Sequence, residues 1–271
     1  MPTSTVPVSV YCSDRPRREQ ARDSIAREVP VALVYNGVSH AVMMATPTDL
    51  EELGLGFSLS EGILERTGEL YDCTVAAAPE GISVEMQIAT QRLAGLQRRR
   101  RNLTGRTGCG LCGTESLAEV LRPVARVTAP PLSDAAVQRA LAVLRAHQPL
   151  QAETGASHGA AWCSPEGDIL MLREDVGRHN ALDKLIGALL RREEDMHTGG
   201  FVLVSSRASY EMVQKSCAVG IGALVAVSAP TSLAIDYAQR AGQLLIGFAR
   251  PGRHVIYHDP LAGSASRRHA P

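Results

Sequence analysis

The sequence has no excess of charge of either sign, because 28 Lys and Arg residues balance 28 Asp and Glu residues. Nucleic-acid-binding proteins are usually basic overall, so this balance argues against that class. No apolar run approaches the roughly 20 residues that cross a bilayer, and the first residues lack the basic and then apolar pattern of a secretory signal. We therefore expect a cytoplasmic protein with reduced thiols that binds neither nucleic acid nor membranes.

Cysteine is scarce, with six residues in a chain of 271. Most of them stand alone, and a lone cysteine is usually a small, buried, apolar residue. Cys109 and Cys112 form the one close pair. A structural zinc site would need two further ligands, usually a second pair at similar spacing, and the sequence has no such companion. We therefore expect no bound metal. The single cysteines are Cys12, Cys73, Cys163 and Cys217.

A Cys-x-x-Cys pair is compatible with a dithiol redox site, a metal site or a sulfur carrier, and its spacing leaves all three open. Glycines at positions 108, 110 and 113 favour a flexible loop over a fixed metal knuckle. Residues 91–108 contain six arginines and no acidic residue, and positive charge stabilises the nucleophilic thiolate. The segment lacks sustained periodicity, which predicts a mobile loop, although an arginine run is also typical of a plain solvated surface.

Two stretches of the first half, one on each side of a predicted helix, show the alternation and turn residues of β-hairpins. The first stretch turns at Asn36-Gly37, a strong short-range hairpin signal. Thr48 and Glu51 stand at capping-box spacing, which predicts the start of the helix between the hairpins. These features predict a mixed α+β part of the chain, with hairpins over residues 29–45 and 71–89.

The second half differs in character, because apolar runs of strand length alternate there with helical stretches. Such alternation is typical of an α/β fold in which helices cover the faces of a largely parallel or mixed sheet. We therefore predict two domains. Residues 1–128 form a smaller N-terminal α+β domain that ends in the Cys-x-x-Cys loop, and residues 129–271 form a C-terminal α/β domain.

Polar residues are dense where strands of the second half pass into helices or turns. Open α/β sheets bind ligands beyond the carboxyl ends of their strands. A hydroxyl, helix amides and an arginine together suit a phosphate group. Each motif alone is explained equally well by a helix cap or a solvated turn. The candidate binding residues are Arg178, His179, Asn180, Ser206, Arg207, Phe248, Ala249, Arg250, Pro251, Gly252 and Arg253.

Several strings of this sequence, taken together, resemble the formate dehydrogenase accessory sulfurtransferase family (FdhD). The resemblance covers most of the chain from about residue 28 onward, while the residues before it carry no family string. The long string at residues 173–187 is the most specific of them. The strings are GCGLCG at 108–113, TGASHGAAW at 154–162, REDVGRHNALDKLIG at 173–187, SSRASYEMVQKS at 205–216, VSAPTSLAI at 227–235 and FARPGR at 248–253.

The resemblance implies a sulfur carrier that receives sulfur from a cysteine desulfurase as a cysteine persulfide. It passes the sulfur to the bis-molybdopterin guanine dinucleotide form of the molybdenum cofactor, which is then inserted into formate dehydrogenase. The resemblance places the persulfide on Cys109 with Cys112 as its loop partner, and cofactor contact at residues 248–253. It also implies a cytidine-deaminase-like, three-layer α/β/α C-terminal domain, a homodimer, and the cofactor as a bound substrate and not a permanent group.

Two other functions are alternatives to the sulfur carrier. A zinc-dependent deaminase would need a His-x-Glu motif, but His158 is followed by Gly159 and Ala160, so the catalytic Glu is missing. A non-catalytic chaperone of the molybdenum cofactor would need the strand-end pocket but not the thiols.

Overall fold

Three β-sheets organise residues 1–101, 123–192 and 199–262, the part of the chain that the computed structural model describes. They contain two, four and six strands. In chain order the strands are β1 (Thr3–Cys12), β2 (Arg15–Ala26), β3 (Val29–Tyr35), β4 (Val38–Ala45), β5 (Leu70–Ala78), β6 (Gly81–Ile88), β7 (His158–Cys163), β8 (Ile169–Asp175), β9 (Phe201–Val204), β10 (Ala223–Ala226), β11 (Leu244–Arg250) and β12 (Arg253–His258).

The α-helices of these ranges lie mostly between the strands of the second half. They are α1 (Leu50–Ser60), α2 (Thr90–Arg101), α3 (Asp134–Leu144), α4 (Pro149–Thr154), α5 (Arg178–Arg191), α6 (Tyr210–Ala218) and α7 (Ser232–Ala241).

The four-stranded sheet, ordered β4-β3-β6-β5, contains both predicted hairpins. The β3–β4 turn has Asn36 at φ 47° and Gly37 at φ 79°, the left-handed conformations that a type I′ turn requires. Strand β3 also pairs in parallel with β6, and α1 lies in the connection between them. The side chains of Leu33 and Leu53 are fully buried in the core beneath this sheet. The mixed α+β prediction for this part of the chain is confirmed.

The predicted capping box at Thr48 and Glu51 is wrong. Asp49 occupies the N-cap position of α1 in a left-handed conformation, at φ 54°, and no side chain accepts a hydrogen bond there. The residues before the helix are held by a distant part of the chain. Thr46 donates through its amide (3.0 Å) and its hydroxyl (2.8 Å) to the carboxylate of Asp175. A contact across 129 residues of sequence thus replaces the local cap.

The loop predicted over residues 91–108 is also wrong in its first part, where the chain forms α2. Leu96 is buried, and Leu93 packs against the same core. The Arg92 guanidinium donates two hydrogen bonds of 2.9 Å to the carboxylate of Glu69 and lowers the pKa of that group to about 2. This fork anchors the helix start. The prediction failed because six arginines masked two apolar residues at helical spacing; residues 102–108 lie outside the described ranges.

The six-stranded sheet has the order β12-β11-β10-β9-β7-β8. Strands β8, β9, β10 and β11 run in one direction, and β7 and β12 run in the other. Helix α3 packs on one face, and α5, α6 and α7 pack on the opposite face. The predicted α/β class with a mixed sheet is therefore confirmed. The carboxyl ends of four strands meet at one edge of this sheet.

Helices α1 and α5 cross at very close range and join the two halves of the chain. A Cβ atom added to Gly56 would lie 1.8 Å from the carbonyl oxygen of Asp183, and one added to Gly187 would lie 2.0 Å from that of Glu52. The two backbones can approach so closely only because both positions lack a side chain. We call this crossing, with the polar contacts around it, the α1–α5 seam.

Two buried ion pairs flank the α1–α5 seam. The Lys184 ammonium lies 2.6 Å from the Asp175 carboxylate, and both side chains are completely buried. The Lys215 ammonium lies 2.9 Å from Asp183, which also accepts a hydrogen bond of 2.7 Å from Ser60. The division into domains at residue 128 stays a prediction. The described halves share a packed and hydrogen-bonded boundary.

Gly187→Ala is expected to destabilise the protein by about 2–3 kcal/mol, because the new methyl group must push the α1 backbone away. The measurement is the free energy of unfolding in urea, followed by the circular dichroism of the helices at about 222 nm. Gly68→Ala is the matched control, since a Cβ there would meet nothing within 4 Å. Equal stability of the two variants would show that the seam tolerates separation.

The first 26 residues form a two-stranded antiparallel hairpin, which the sequence did not predict. Ten residue pairs link β1 to β2. The hairpin is joined to the second half at its base, where the Ser24 hydroxyl donates to Glu153 of α4. Most of its residues are exposed.

Candidate functional site

The predicted binding segments lie along one edge of the six-stranded sheet, at the carboxyl ends of its parallel strands. Backbone hydrogen bonds connect them beyond the strand ends. The Ser205 amide donates to Gly159 (2.9 Å), the Ser228 amide to Ser206 (3.3 Å), and the Phe248 amide to Ser228 (3.1 Å). The loops after β9, β10 and β11 are therefore held side by side, next to the start of β7. We call this arrangement the carboxyl edge.

Two arginines lie at this edge, and their positive charges repel each other. Arg178 is the first residue of α5, and Arg207 lies in the loop between β9 and α6. Burial, and then the positive charge of Arg207, lower the pKa of the Arg178 guanidinium. Its buried Nε atom has no hydrogen-bond partner within the described residues. An arginine remains charged in proteins, so the two cations with an unused donor favour binding of an anion.

Two histidines and a glutamate lie beside the arginines. His179 Nε2 is 2.9 Å from the Glu211 carboxylate and 3.4 Å from the Ser209 hydroxyl. The hydrogen bond from His179 is the main cause of the lowered pKa of Glu211. Glu211 therefore stays ionised and orients the His179 ring, and its charge offsets part of that of Arg178.

His158 opens β7 at the same edge, and it is half-buried. Burial, and then the charge of Arg178, lower the pKa of the His158 imidazole below its ordinary value. The folded protein thus disfavours protonated His158, and stability falls as the pH drops through about 6.5, the value in the unfolded chain. A bound anion would remove this cost, because it compensates the added charge.

The other charged residues of the 173–187 segment make structural contacts. Arg173 donates to Glu52 at 2.9 Å, and Glu174 accepts a hydrogen bond of 2.8 Å from the Leu150 amide at the start of α4. The Asn180 amide nitrogen donates to the Met44 carbonyl (2.8 Å) and to Asp175 (3.0 Å). The bonds to Glu52 and Met44 hold the two halves together. A ligand contact by Asn180 stays a prediction.

Ser206 is buried, and its hydroxyl donates to the carbonyl oxygen of Arg207 at 3.1 Å. It therefore shapes the loop that carries Arg207. Direct contact between Ser206 and a ligand is likewise still a prediction.

The segment from Phe248 to Arg253 forms the end of β11, a tight turn and the start of β12. Phe248 has φ 47° at a break in the strand register, an uncommon conformation for an aromatic residue. Such outliers occur mostly where function requires them. Ala249 is buried, whereas Arg250, Pro251, Gly252 and Arg253 are exposed. The two arginines flank the turn and extend the positive charge of the edge.

The predicted thiols Cys109 and Cys112 lie outside the described residues. Among the described cysteines, burial raises the pKa of Cys163 and Cys217 to about 12, and that of Cys73 to about 11. These three thiols are almost entirely protonated near neutral pH, so they are poor nucleophiles. Cys12 is the exposed cysteine of the described ranges.

In residues 1–101, 123–192 and 199–262, no group of three or more His, Cys, Asp and Glu side chains could hold a metal ion. No helix in the described ranges is long and apolar enough to cross a membrane.

Sequence reasoning missed His158 as a site residue, together with Ser209 and Glu211. Glu211 stands within the string at 205–216, but helical position alone did not place it beside His179. In the sequence, His158 stands out only as a possible ligand of a zinc-dependent deaminase. Its position before an apolar run gave a usable signal, since an antiparallel strand starts at the edge where its parallel neighbours end.

Comparisons with known proteins agree on one family. A family model described as FdhD/NarQ matches residues 26–262. A protein of Cupriavidus necator named sulfur carrier protein FdhD is 53% identical over 260 residues, covering 93% of this chain and 88% of its own length. A protein of the same name from Variovorax paradoxus is 56% identical over 240 residues, covering 88% of this chain and 86% of its own.

A solved structure shares the fold. It is that of a protein assigned as a formate dehydrogenase accessory protein from Desulfotalea psychrophila, with a TM-score of 0.74 and 24% sequence identity. The superposition covers 96% of this chain and 98% of that one.

Proposed function

The chain belongs to the FdhD/NarQ family. We propose that it is a sulfur carrier for the maturation of formate dehydrogenase. In this proposal Cys109 takes sulfur from a cysteine desulfurase as a persulfide. The protein then transfers that sulfur to the bis-molybdopterin guanine dinucleotide cofactor. The cofactor is a substrate here and is released after the transfer.

Two arginines at the carboxyl edge support the binding half of the proposal, because the buried Nε atom of Arg178 has no hydrogen-bond partner within the described residues. Burial, and then the charge of Arg207, lower the pKa of Arg178, and both guanidinium groups offer donors to an anion. The amides that begin α5 add a partial positive charge at the same place. The cofactor carries diphosphate groups that suit this edge. Residues 248–253, with their two exposed arginines, lie further along it and would contact the guanine nucleotide.

The sulfur half of the proposal rests on the two thiols of the 108–113 string. The Cys109 thiolate attacks the outer sulfur of the donor's persulfide and releases the donor's own thiolate. The Cys112 thiolate then attacks the inner sulfur of the Cys109 persulfide, which forms a Cys109–Cys112 disulfide and expels hydrosulfide. Hydrosulfide and one proton replace an oxo ligand of molybdenum, and the oxygen leaves as water.

The burial of Cys163 and Cys217 supports this choice. Buried cysteines with raised pKa values cannot enter the active site of a partner protein. We propose further that the protein acts in the cytoplasm as a homodimer, with cysteine desulfurase and formate dehydrogenase as partners. Its second half is proposed to be cytidine-deaminase-like in architecture but without zinc chemistry.

Calorimetric titration with GDP tests the binding half. We expect GDP to bind at least tenfold more tightly than ADP, and Arg207→Ala to weaken GDP binding by about tenfold, or 1.4 kcal/mol. Arg139→Ala is the matched control, because Arg139 is exposed and already paired with Asp168 at 2.7 Å. Equal binding of GDP and ADP, or equal binding by the two variants, would contradict the placement of the nucleotide at this edge.

A further inference from the structure

A chain of three hydrogen bonds connects the turn at Gly252 to helix α3. The Gly252 amide donates to Gln138 Oε1 at 2.7 Å. Gln138 Nε2 lies 3.1 Å from His254 Nδ1, and His254 Nε2 lies 2.9 Å from Asp134 Oδ1. The His254 side chain is 8% exposed, whereas Asp134 is 79% exposed. We call these four residues the Gln138 relay.

The direction of every hydrogen bond in the relay is set by the Gly252 amide. A backbone amide can only donate, so the oxygen of the Gln138 side chain must face Gly252. The NH₂ group of Gln138 then faces His254 Nδ1, which must accept and therefore carries no proton. The proton of the neutral imidazole lies on Nε2, and it is donated to Asp134. The relay is complete only when His254 is neutral.

Protonation of His254 makes both ring nitrogens donors. Gln138 would then have to rotate its amide so that the oxygen faces Nδ1. Its NH₂ group would meet the Gly252 amide, and two donors cannot bond to each other. Beyond Gly252, the turn has open space, since a Cβ there would meet nothing within 4 Å. The bond to Gln138 ties the tip of the turn to helix α3, in addition to the pairing of β11 with β12.

We propose that Gln138 and His254 are positioning residues that hold Arg250 and Arg253 in their ligand-binding arrangement while His254 is neutral. This inference rests on the proposed function, in which residues 248–253 contact the guanine nucleotide. The charged groups concerned are Asp134 on α3, which contacts His254 directly, and the two arginines that flank the turn. A neutral imidazole adds no charge beside the turn, so the two arginines remain its positive groups, which a phosphate can contact.

Two variants of Gln138 separate this role from simple packing. Gln138→Leu keeps the volume and removes both bonds, and we expect GDP affinity to fall about tenfold at pH 8. Gln138→Glu keeps an acceptor for Gly252, but its second oxygen needs a proton on His254 Nδ1, and only a protonated His254 can supply it and still donate to Asp134. We therefore expect the ratio of Gln138→Glu affinity to unmodified affinity to rise as the pH falls from about 8 to about 5.5. A merely structural role predicts a ratio that is independent of pH.

Amide hydrogen exchange of the turn provides a readout without ligand. The Gly252 amide should exchange at least tenfold faster in Gln138→Leu than in the unmodified protein at the same pH. Failure of the unmodified protein to bind GDP would overturn the proposed function. Normal GDP binding and unchanged exchange in Gln138→Leu, or a pH-independent affinity ratio for Gln138→Glu, would overturn the relay alone.

Discussion

Cys109→Ala is expected to abolish both sulfur labelling and the maturation of formate dehydrogenase, while the fold stays intact. The persulfide needs a thiolate that can enter two partner sites, and removal of that sulfur leaves no acceptor for the donor's persulfide. The measurement is mass spectrometry after incubation with a cysteine desulfurase and cysteine, which should show a gain of about 32 Da, one sulfur atom, in the unmodified protein and none in the variant.

Two other cysteine variants are compared with Cys109→Ala in this experiment. Cys112→Ala should keep the label on Cys109 and slow its release, because the resolving attack is lost. Cys12→Ala is the control, since Cys12 is exposed and distant in sequence from the pair. Label that persists in Cys109→Ala and vanishes in Cys112→Ala would reverse the two roles. Label that persists when both are replaced would contradict the carrier assignment. Normal maturation in that case would favour a chaperone that binds only the cofactor.

Lys184→Met is expected to destabilise the protein by about 3–5 kcal/mol and to lower Tm by roughly 10 °C or more. The substitution keeps the length of the side chain but leaves the Asp175 carboxylate buried without its cation. The Lys184 ammonium also donates to the hydroxyl (2.8 Å) and carbonyl (3.1 Å) of Thr46, so these acceptors lose their partner as well. Thermal unfolding followed by calorimetry measures the change.

Arg191→Met is the matched control for Lys184→Met. Arg191 pairs with Glu51 at 2.7 Å across the same two helices, but both side chains are partly exposed to solvent. Exposed pairs contribute at most about 1 kcal/mol, so the control should remain close to the unmodified protein. Adding Asp175→Asn to Lys184→Met should recover part of the loss, because it removes the stranded charge. Equal Tm values for Lys184→Met and Arg191→Met would show that the buried pair does not hold the seam.

The parts of the fold that follow from short-range pattern were predictable from the sequence. The Asn36-Gly37 turn and the alternation of strands and helices after Ser133 depend on neighbouring residues, and both predictions are confirmed. The start of α1 was not predictable, because its approach is held by Asp175 from the other half of the chain. Helix α2 was missed for a related reason. Its anchor, Glu69, lies 23 residues before Arg92.

The same distinction applies to the candidate site. Polar residues after strands pointed to the carboxyl edge, and the structure places Arg178, Arg207 and residues 248–253 along it. Sequence could not separate residues that face the edge from residues that bind the two halves together. Asp183 and Lys184 stand beside the site residues in the chain, yet helical rotation directs them into buried ion pairs.

The anchored start of α2 also sets a limit on where sulfur can travel. Helix α2 ends at Arg101, and Cys109 follows it by eight residues. A chain advances at most about 3.6 Å per residue, so the Cys109 sulfur can reach no farther than roughly 30 Å from that helix end. Donor and acceptor must each bring their reacting sulfur or metal inside this radius.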